Sequence, residues 1–241
     1  MAGRTSRARR SAVILGGPVS QAHRPTVPVG PGHNAGVSEV LVPAARLDRW
    51  VLNFQGRHGV TGLSVTGGRL AGAAADGSSF RARLPFDEEY DGLPDAPSFA
   101  AAAQAPADWA VLLVRKGGFA VARIAGTAIG ESKVGQRHVH GRTKAGGQSQ
   151  QRFARRRDNQ ARAAYEAAAE HAARILAGLR GPVVAGGDRA AVDEVLADPR
   201  LVGLQRVEPW LAVPDPRRAV LEQAVADAQC VRIEVVNADE A

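Results

Sequence analysis

Apolar positions at Leu47, Trp50, Val51 and Phe54 fall on one face at helical spacing, which predicts a helix that stops before Gly59. Short runs at Val60 to Thr66, Arg69 to Ala74 and Phe80 to Leu84 read as strands. The pairs Gly67-Gly68 and Asp76-Gly77 between them are hairpin-turn signals. Further along, Trp109 to Val114 and Phe119 to Ile124 flank the turn Lys116-Gly117-Gly118 and predict a second hairpin, followed by a more polar strand over Glu131 to His140. A Gly-rich loop then leads into one long helix from about Ser149 to Leu179, stopped by Gly181-Pro182. A strand at Val183 to Ala185, a helix from Asp188 to Ala197, an extended segment at Leu204 to Val207, a helix from Pro216 to Gln229 and a β-branched strand at Val231 to Val236 complete the pattern. Strands alternating with helices predict a sheet covered by helices, an α/β fold.

These elements divide the chain into four parts. Residues 1–36, rich in Arg, Gly, Pro and Ser without an apolar period, are expected to be a disordered basic tail. Residues 37–86 form a small α/β unit. The segment 87–107, acidic and then rich in Pro and Ala, is expected to be a linker. Residues 108–241 make a second α/β domain.

Charge sharpens this picture. The 241 residues carry 31 Lys and Arg against 24 Asp and Glu, a formal net charge of +7, which favours polyanionic partners and by itself leaves an anionic membrane surface open. Between Arg137 and Arg162 lie Arg137, Arg142, Lys144, Arg152, Arg155, Arg156, Arg157 and Arg162, opposed only by Asp158, so this one stretch matches the net charge of the whole chain. On the long helix, Arg152, Arg155, Arg156 and Asn159 share a face, while Phe153, Ala161, Ala164, Ala168, Ala172, Ile175, Leu176 and Leu179 can turn toward the sheet. An exposed face laced with salt bridges is the plainer reading of that Arg cluster, but almost no carboxylates are near enough to pair. Backbone phosphate contact follows, with Arg142, Lys144, Arg152, Arg155, Arg156 and Arg157 as the RNA-binding candidates. Aromatic residues are nearly absent here, so base stacking is not the expected mode.

Inside the basic stretch sits Thr143-Lys144-Ala145-Gly146-Gly147-Gln148-Ser149. A flexible loop ahead of a helix would explain two glycines equally well. Chemically, the two glycines let the main chain approach a ligand closely, and a backbone N–H beside Gly147 can donate to a developing oxyanion. Gln148 has a neutral amide with no useful pKa, so it can orient a water but cannot act as a general base. Such a site has no acid, base, metal or covalent nucleophile of its own, and becomes effective where RNA supplies the remainder.

The run GGQSQQRFARRRDNQARAAYE resembles the middle domain of the archaeal and eukaryotic class I peptide release factors, in which GGQS is followed by an RFARxR helix. Here those halves are Gly146-Gly147-Gln148-Ser149 and Arg152-Phe153-Ala154-Arg155-Arg156-Arg157. The similarity extends over most of residues 109–230, and with the N-terminal unit the chain resembles the short VLRF-type release-factor-like peptidyl-tRNA hydrolases of actinobacteria. The resemblance implies an RNase H-like core and release of nascent chains at the peptidyl-transferase centre, with Gly146, Gly147 and Gln148 in the catalytic loop and the 2′-hydroxyl of the tRNA's terminal adenosine assisting proton transfer. The implied partners are the large ribosomal subunit, its 23S rRNA and peptidyl-tRNA, in the cytoplasm, with no cofactor, no membrane and no DNA. Stop-codon-reading factors carry a codon-recognition domain and a further C-terminal domain for which this chain has no room, so the expected substrate is peptidyl-tRNA stranded on a stalled ribosome or a split large subunit. A ribosome- or tRNA-binding factor without hydrolysis, and a nuclease acting on the tRNA 3′ end, remain as alternatives.

Other residues add less. His138 and His140 alternate on a strand and could pair on a metal, but no third ligand is placed, so no metal site is expected. His58 reads as a helix-end residue, Trp109 and Trp210 as core aromatics. Gly186-Gly187-Asp188 opens a helix after a strand but lacks the Lys-Ser/Thr ending of a phosphate loop. The single Cys230 excludes an intramolecular disulfide and reads as a buried small apolar residue.

Overall fold

The computed structural model describes residues 37–136 and 148–238, with the backbone alone for 148–160. The expected tail, residues 1–36, and His138 and His140 lie outside the described residues.

In chain order the elements are β1 (Val37–Val42), α1 (Leu47–His58), β2 (Thr61–Thr66), β3 (Arg69–Ala74), β4 (Ser79–Arg83), α2 (Ala96–Ala102), β5 (Trp109–Arg115), β6 (Gly118–Ala125), β7 (Ala128–Gln136), α3 (Gln148–Ile175), β8 (Val183–Gly187), α4 (Arg189–Leu196), β9 (Arg206–Leu211), α5 (Arg218–Ala228) and β10 (Val231–Val236). They build two five-stranded sheets, ordered β1-β10-β4-β3-β2 and β7-β6-β5-β8-β9.

The second sheet is mixed. β5 pairs antiparallel with β6 and β6 with β7, while β5, β8 and β9 run parallel. Counted from β5 the order is 3-2-1-4-5, as expected of an RNase H-like core. β5 is buried at every residue except Arg115, and β8 at every residue except Gly187, because helices cover both faces. On one side Leu112, Val114, Phe119 and Val121 meet Ala164, Ala168, Ala172 and Ile175 of α3 and Val192 of α4. On the other, Trp109, Val111, Leu113 and Ile124 meet Leu221, Ala224 and Val225 of α5. The predicted aromatic Trp109 is fully buried, with its indole N–H donating to the Gly126 carbonyl at 2.8 Å.

The first sheet is antiparallel throughout and has helices on one face only. Leu47, Val51 and Phe54 of α1 and Phe99 of α2 pack on Leu70, Phe80, Ala82 and Ile233. Its strands alternate accordingly, β2 in strict half-buried and exposed succession. α1 ends where the sequence places its end, since Gly59 takes a positive φ of 87°.

Three features differ from expectation. β1 adds an edge strand that the sequence pattern did not single out. Within residues 87–107, expected to be a linker, lies α2, whose Asp95 side chain accepts the Ser98 N–H at 2.7 Å and whose Phe99 is fully buried against Tyr90. Finally, β10, which the sequence pattern assigns to the second domain, inserts between β1 and β4 of the first sheet. Its buried Val231, Ile233 and Val235 alternate with half-exposed Arg232 and Glu234, the pattern of a sheet covered on one side.

The two sheets are joined near β9. The Glu208 N–H donates to the Asp87 carboxylate at 2.9 Å, and Arg232 of β10 lies 3.9 Å from the Glu208 carboxylate. Phe86 and Asp87 both adopt positive φ, a conformation costing about 1–3 kcal/mol at each such residue. It delivers the Phe86 ring, 4.8 Å from that of Trp109, into the core of the second sheet.

Candidate functional site

The carboxyl ends of β5, β8 and β9 define one edge of the second sheet, the edge at which open α/β sheets present their ligand sites. β7 ends there too, since Gln136 pairs with Gly118, Gly118 with Arg115, and Val114 with Gly187. Arg142, Lys144, Gly146 and Gly147 follow β7 and lie outside the described residues. The chain resumes at Gln148, the first residue of α3.

α3 is anchored by its C-terminal half. Among its residues whose side chains are described, the buried ones run from Ala164 through Tyr165, Ala168, Ala169 and Ala172 to Ile175, and His171 stacks on Phe119 at 5.7 Å. Alanines at i, i+4 and i+8 let the helix lie close against β6. Phe119 stands one residue into β6 at the edge just described. From the level of His171 back to Gln148 the helix extends about 34 Å at 1.5 Å per residue, so its first turns lie far from the anchored half. Those turns carry Arg152, Arg155, Arg156 and Arg157 in sequence.

The starts of α4 and α5 at this edge, and the far end of α3, share an electrostatic feature. α3, α4 and α5 all have no acidic residue in the first turn. A helix N-terminus carries partial positive charge and ordinarily favours Asp or Glu there. Here α4 opens with Arg189 behind Asp188 as its N-cap, whose side chain makes no capping hydrogen bond, and α5 opens with Arg218 after Arg217 as its N-cap. At α5, where Arg218 pairs with Glu222 but Arg217 has no carboxylate partner among the described residues, a cation against the positive end of the helix is locally unfavourable and becomes favourable when an external anion binds.

Lys116 in the β5–β6 turn, Lys133 on β7 and Arg217 stand near this edge as exposed cations that the motif-based reading passed over. Two further cations are held in place. Arg115 donates to the Val213 carbonyl at 2.7 Å and lies 3.8 Å from Asp215, and Arg218 pairs with Glu222 and donates to Ser132 Oγ at 3.0 Å. Apart from Lys133, which lies within β7, their signal in the sequence is positional: Arg115 and Lys116 fall at a strand's carboxyl end, Arg217 and Arg218 at a helix start.

Gly187, the last residue of β8, has φ 97°, and a Cβ there would stand 2.3 Å from the Val114 carbonyl oxygen. Only glycine allows β8 to turn into α4 so close to β5. The Asp188 N–H completes the turn by donating to the same carbonyl at 2.8 Å. Beside it, Tyr165 has its phenol pKa raised, chiefly by burial and then by the charges of Asp188 and Glu194, which keeps it neutral. Trp210 is half-buried rather than a full core aromatic, with the Arg189 guanidinium 4.3 Å from its ring centroid. At the far end of α5, burial pushes the Cys230 thiol up to about 11, so it is no nucleophile.

Residues 107–234, more than half of the chain, match the family described as Actinobacteria/chloroflexi VLRF1 release factor. The chain belongs to this family. Membership in the VLRF1 release factors gives it a ribosome-related release-factor role, and the match spans the second sheet and all the elements that frame its cationic edge. β1 to β4, α1 and α2 lie outside the matched segment. Among curated proteins, none matches the chain. No helix among the described residues is long and apolar enough to cross a membrane.

Proposed function

We propose that this VLRF1-family chain hydrolyses the ester bond of peptidyl-tRNA stranded on stalled ribosomes or split large subunits, with Gly146, Gly147 and Gln148 entering the peptidyl-transferase centre. The observation that carries the reading is charge: α4 and α5 begin at the edge where β7 ends, with Arg189 and with Arg217-Arg218 and no acid in their first turns, and α3, which projects beyond that edge to Gln148, has no acid in its first turn either. A polyanion is the natural complement of such an edge.

In the reaction, a water oxygen attacks the ester carbonyl carbon and the bond to the ribose 3′ oxygen breaks. The leaving oxygen takes up a proton with help from the 2′-hydroxyl of the terminal adenosine. Gln148 orients the water through its amide, and a backbone N–H beside Gly147 donates to the oxyanion. Arg142, Lys144, Arg152, Arg155, Arg156 and Arg157 hold backbone phosphates of 23S rRNA and tRNA, contacts that position without reading sequence. No cofactor enters this scheme.

The test is release of labelled peptide from peptidyl-tRNA on isolated large subunits. Gln148→Ala is expected to lower release on the order of 10²-fold or more while subunit binding survives, the scale seen when a preorganised group is removed from such a site. Unchanged release would overturn the proposal. Binding without release by the parent chain would favour a factor that only occupies the centre, and loss of the terminal adenosine would favour a tRNA 3′-end nuclease.

A further inference from the structure

We propose that the open cleft between the end of β1 and the start of α1 seats a nucleotide of single-stranded RNA, with Trp50 against the base and Arg46 and Arg49 on its phosphates. The cleft, of about 240 Å³, is lined by Leu41, Val42 and Pro43 after β1 and by Arg46, Arg49, Trp50 and Asn53 at the start of α1. It lies outside the segment that matches the VLRF1 family.

Three observations select this occupant. First, the cations are uncommitted. Arg83, Arg115, Arg123, Arg174, Arg200, Arg206, Arg218 and Arg232 all have carboxylate partners, whereas Arg46 and Arg49 have none among the described residues, even with Asp48 between them in sequence. Asn53 and Arg57 continue the exposed stripe at i+4 and i+8 from Arg49. Other unpaired guanidiniums exist, such as Arg69 and Arg217, but Arg46 and Arg49 border a cleft with an indole in its wall.

Second, that indole is fixed. Phe54 stacks on Trp50 at 5.7 Å with 20° between the planes, and Phe80 meets it edge-on at 5.1 Å. Held by these two neighbours, the ring is nevertheless only half-buried and lines the cleft, so a base can stack on its remaining surface at little further entropic cost. Third, the Asn53 amide offers both a donor and an acceptor beside the platform, which a base edge can use. An acidic peptide would satisfy the guanidiniums but leave the platform and the amide without partners. The choice also rests on the ribosomal role of the family, though not on hydrolysis by Gln148.

The cleft is remote from the cationic edge. Val42 pairs with Val231, which follows the C-terminal end of α5, whereas α5 begins near the edge where β7 ends. A signal from Trp50 therefore reports on the cleft alone.

The full chain is titrated with a short oligoadenylate at low salt while the indole N–H resonances are followed, Trp50 being assigned by Trp50→Phe. The Trp50 resonance is expected to shift with the RNA. In a parallel binding measurement, Arg46→Gln together with Arg49→Gln is expected to reduce the slope of log K against log salt by about 1.4, the value for two phosphate contacts on a single strand. That slope needs no Trp50 variant, so it still decides the matter if Trp50→Phe fails to fold. A Trp50 resonance that stays still while RNA binds, or an unchanged slope, would overturn the proposal. So would a polyglutamate that moves the resonance where oligoadenylate does not, which would assign the cleft to an acidic peptide. Peptide release by the unmodified chain is unaffected by this outcome, so failure here and failure of the hydrolase reading are told apart.

Discussion

The two sheets are covered to different extents: the second has helices on both faces, the first on one. In the second sheet, neighbouring residues of β5 such as Leu112 and Leu113 face opposite layers and are both fully buried. In the first, neighbours such as Phe80 and Arg81 divide between core and solvent. The open face of the first sheet is held by ionic contacts, with Arg83 bridging Glu39 and Glu234 while Arg232 reaches Glu39 and Glu208. Full coverage makes the second sheet a firm base for what leaves its edge. Partial coverage leaves the first with surface to spare for a partner.

The largest test of this contrast is substitution of adjacent residues. Leu112→Ala and Leu113→Ala should each cost about 2–5 kcal/mol in urea unfolding, because each leaves a cavity in a packed layer. In β4, Phe80→Ala should cost about 3–5 kcal/mol, while Arg81→Ala next to it should stay within about 0.5 kcal/mol. A mild Leu113→Ala would mean that α5 does not form a true second layer.

A medium effect comes from a device the sheets share. Gly72 faces Phe80 across β3 and β4, and Gly135 faces Phe119 across β6 and β7, with the ring lying over the glycine. A Cβ would meet the ring at 2.1 Å in the first case and 2.2 Å in the second. Gly72→Ala and Gly135→Ala should each cost about 1–3 kcal/mol through overpacking. Gly135 is one residue from the end of β7, so its substitution should also lower peptide release, which Gly72→Ala should leave alone. Equal effects on release would show that the edge does not depend on the local packing of β7.

The smallest effect is acid sensitivity. Asp198, beyond α4, is held at a pKa of about 2, first by the Arg200 guanidinium and then by the Arg200 N–H. Asp76, in the first sheet's second hairpin, is also lowered, first by the Ser78 N–H and then by His58. A carboxylate whose folded pKa lies below its unfolded value of about 3.9 stabilises fully above that pH and loses the contribution as pH falls toward the folded value. The thermal midpoint of Asp198→Asn should therefore drop less between about pH 4 and pH 2 than that of the parent chain, with Asp76→Asn showing a weaker form of the same change. An unaltered acid limb would remove Asp198 from the contributors.

Much of this was readable from residues. Gly59 and the Gly67-Gly68 pair mark the ends of α1 and β2 because backbone requirements there are local, and Ala164, Ala168 and Ala172 mark the anchored face of α3 by period. β1 and α2 escaped because short, polar-flanked runs carry little periodicity before their partners are known. β10 is more instructive. Its alternating Val231 to Val236 run names a sheet open on one side, which the continuous Trp109 to Val114 run does not, but nothing in a linear pattern says which strands a distant one will join. At the cationic edge, Arg152 to Arg157 are visible as a cluster, whereas Lys116 and Arg217 come together only through the turn contacts of Arg115 with Val213 and Asp215.

The insertion of β10 between β1 and β4 also sets a timetable. Glu39 and Arg232, which meet across that sheet, are separated by 193 positions. A chain emerging from the ribosome delivers β1 to β4 first and β10 last, so β2 to β4 can pair at once but β1 must wait without a partner strand while the second sheet completes itself. Removal of residues 231–236 would thus damage the opposite end of the sequence more than its own neighbourhood.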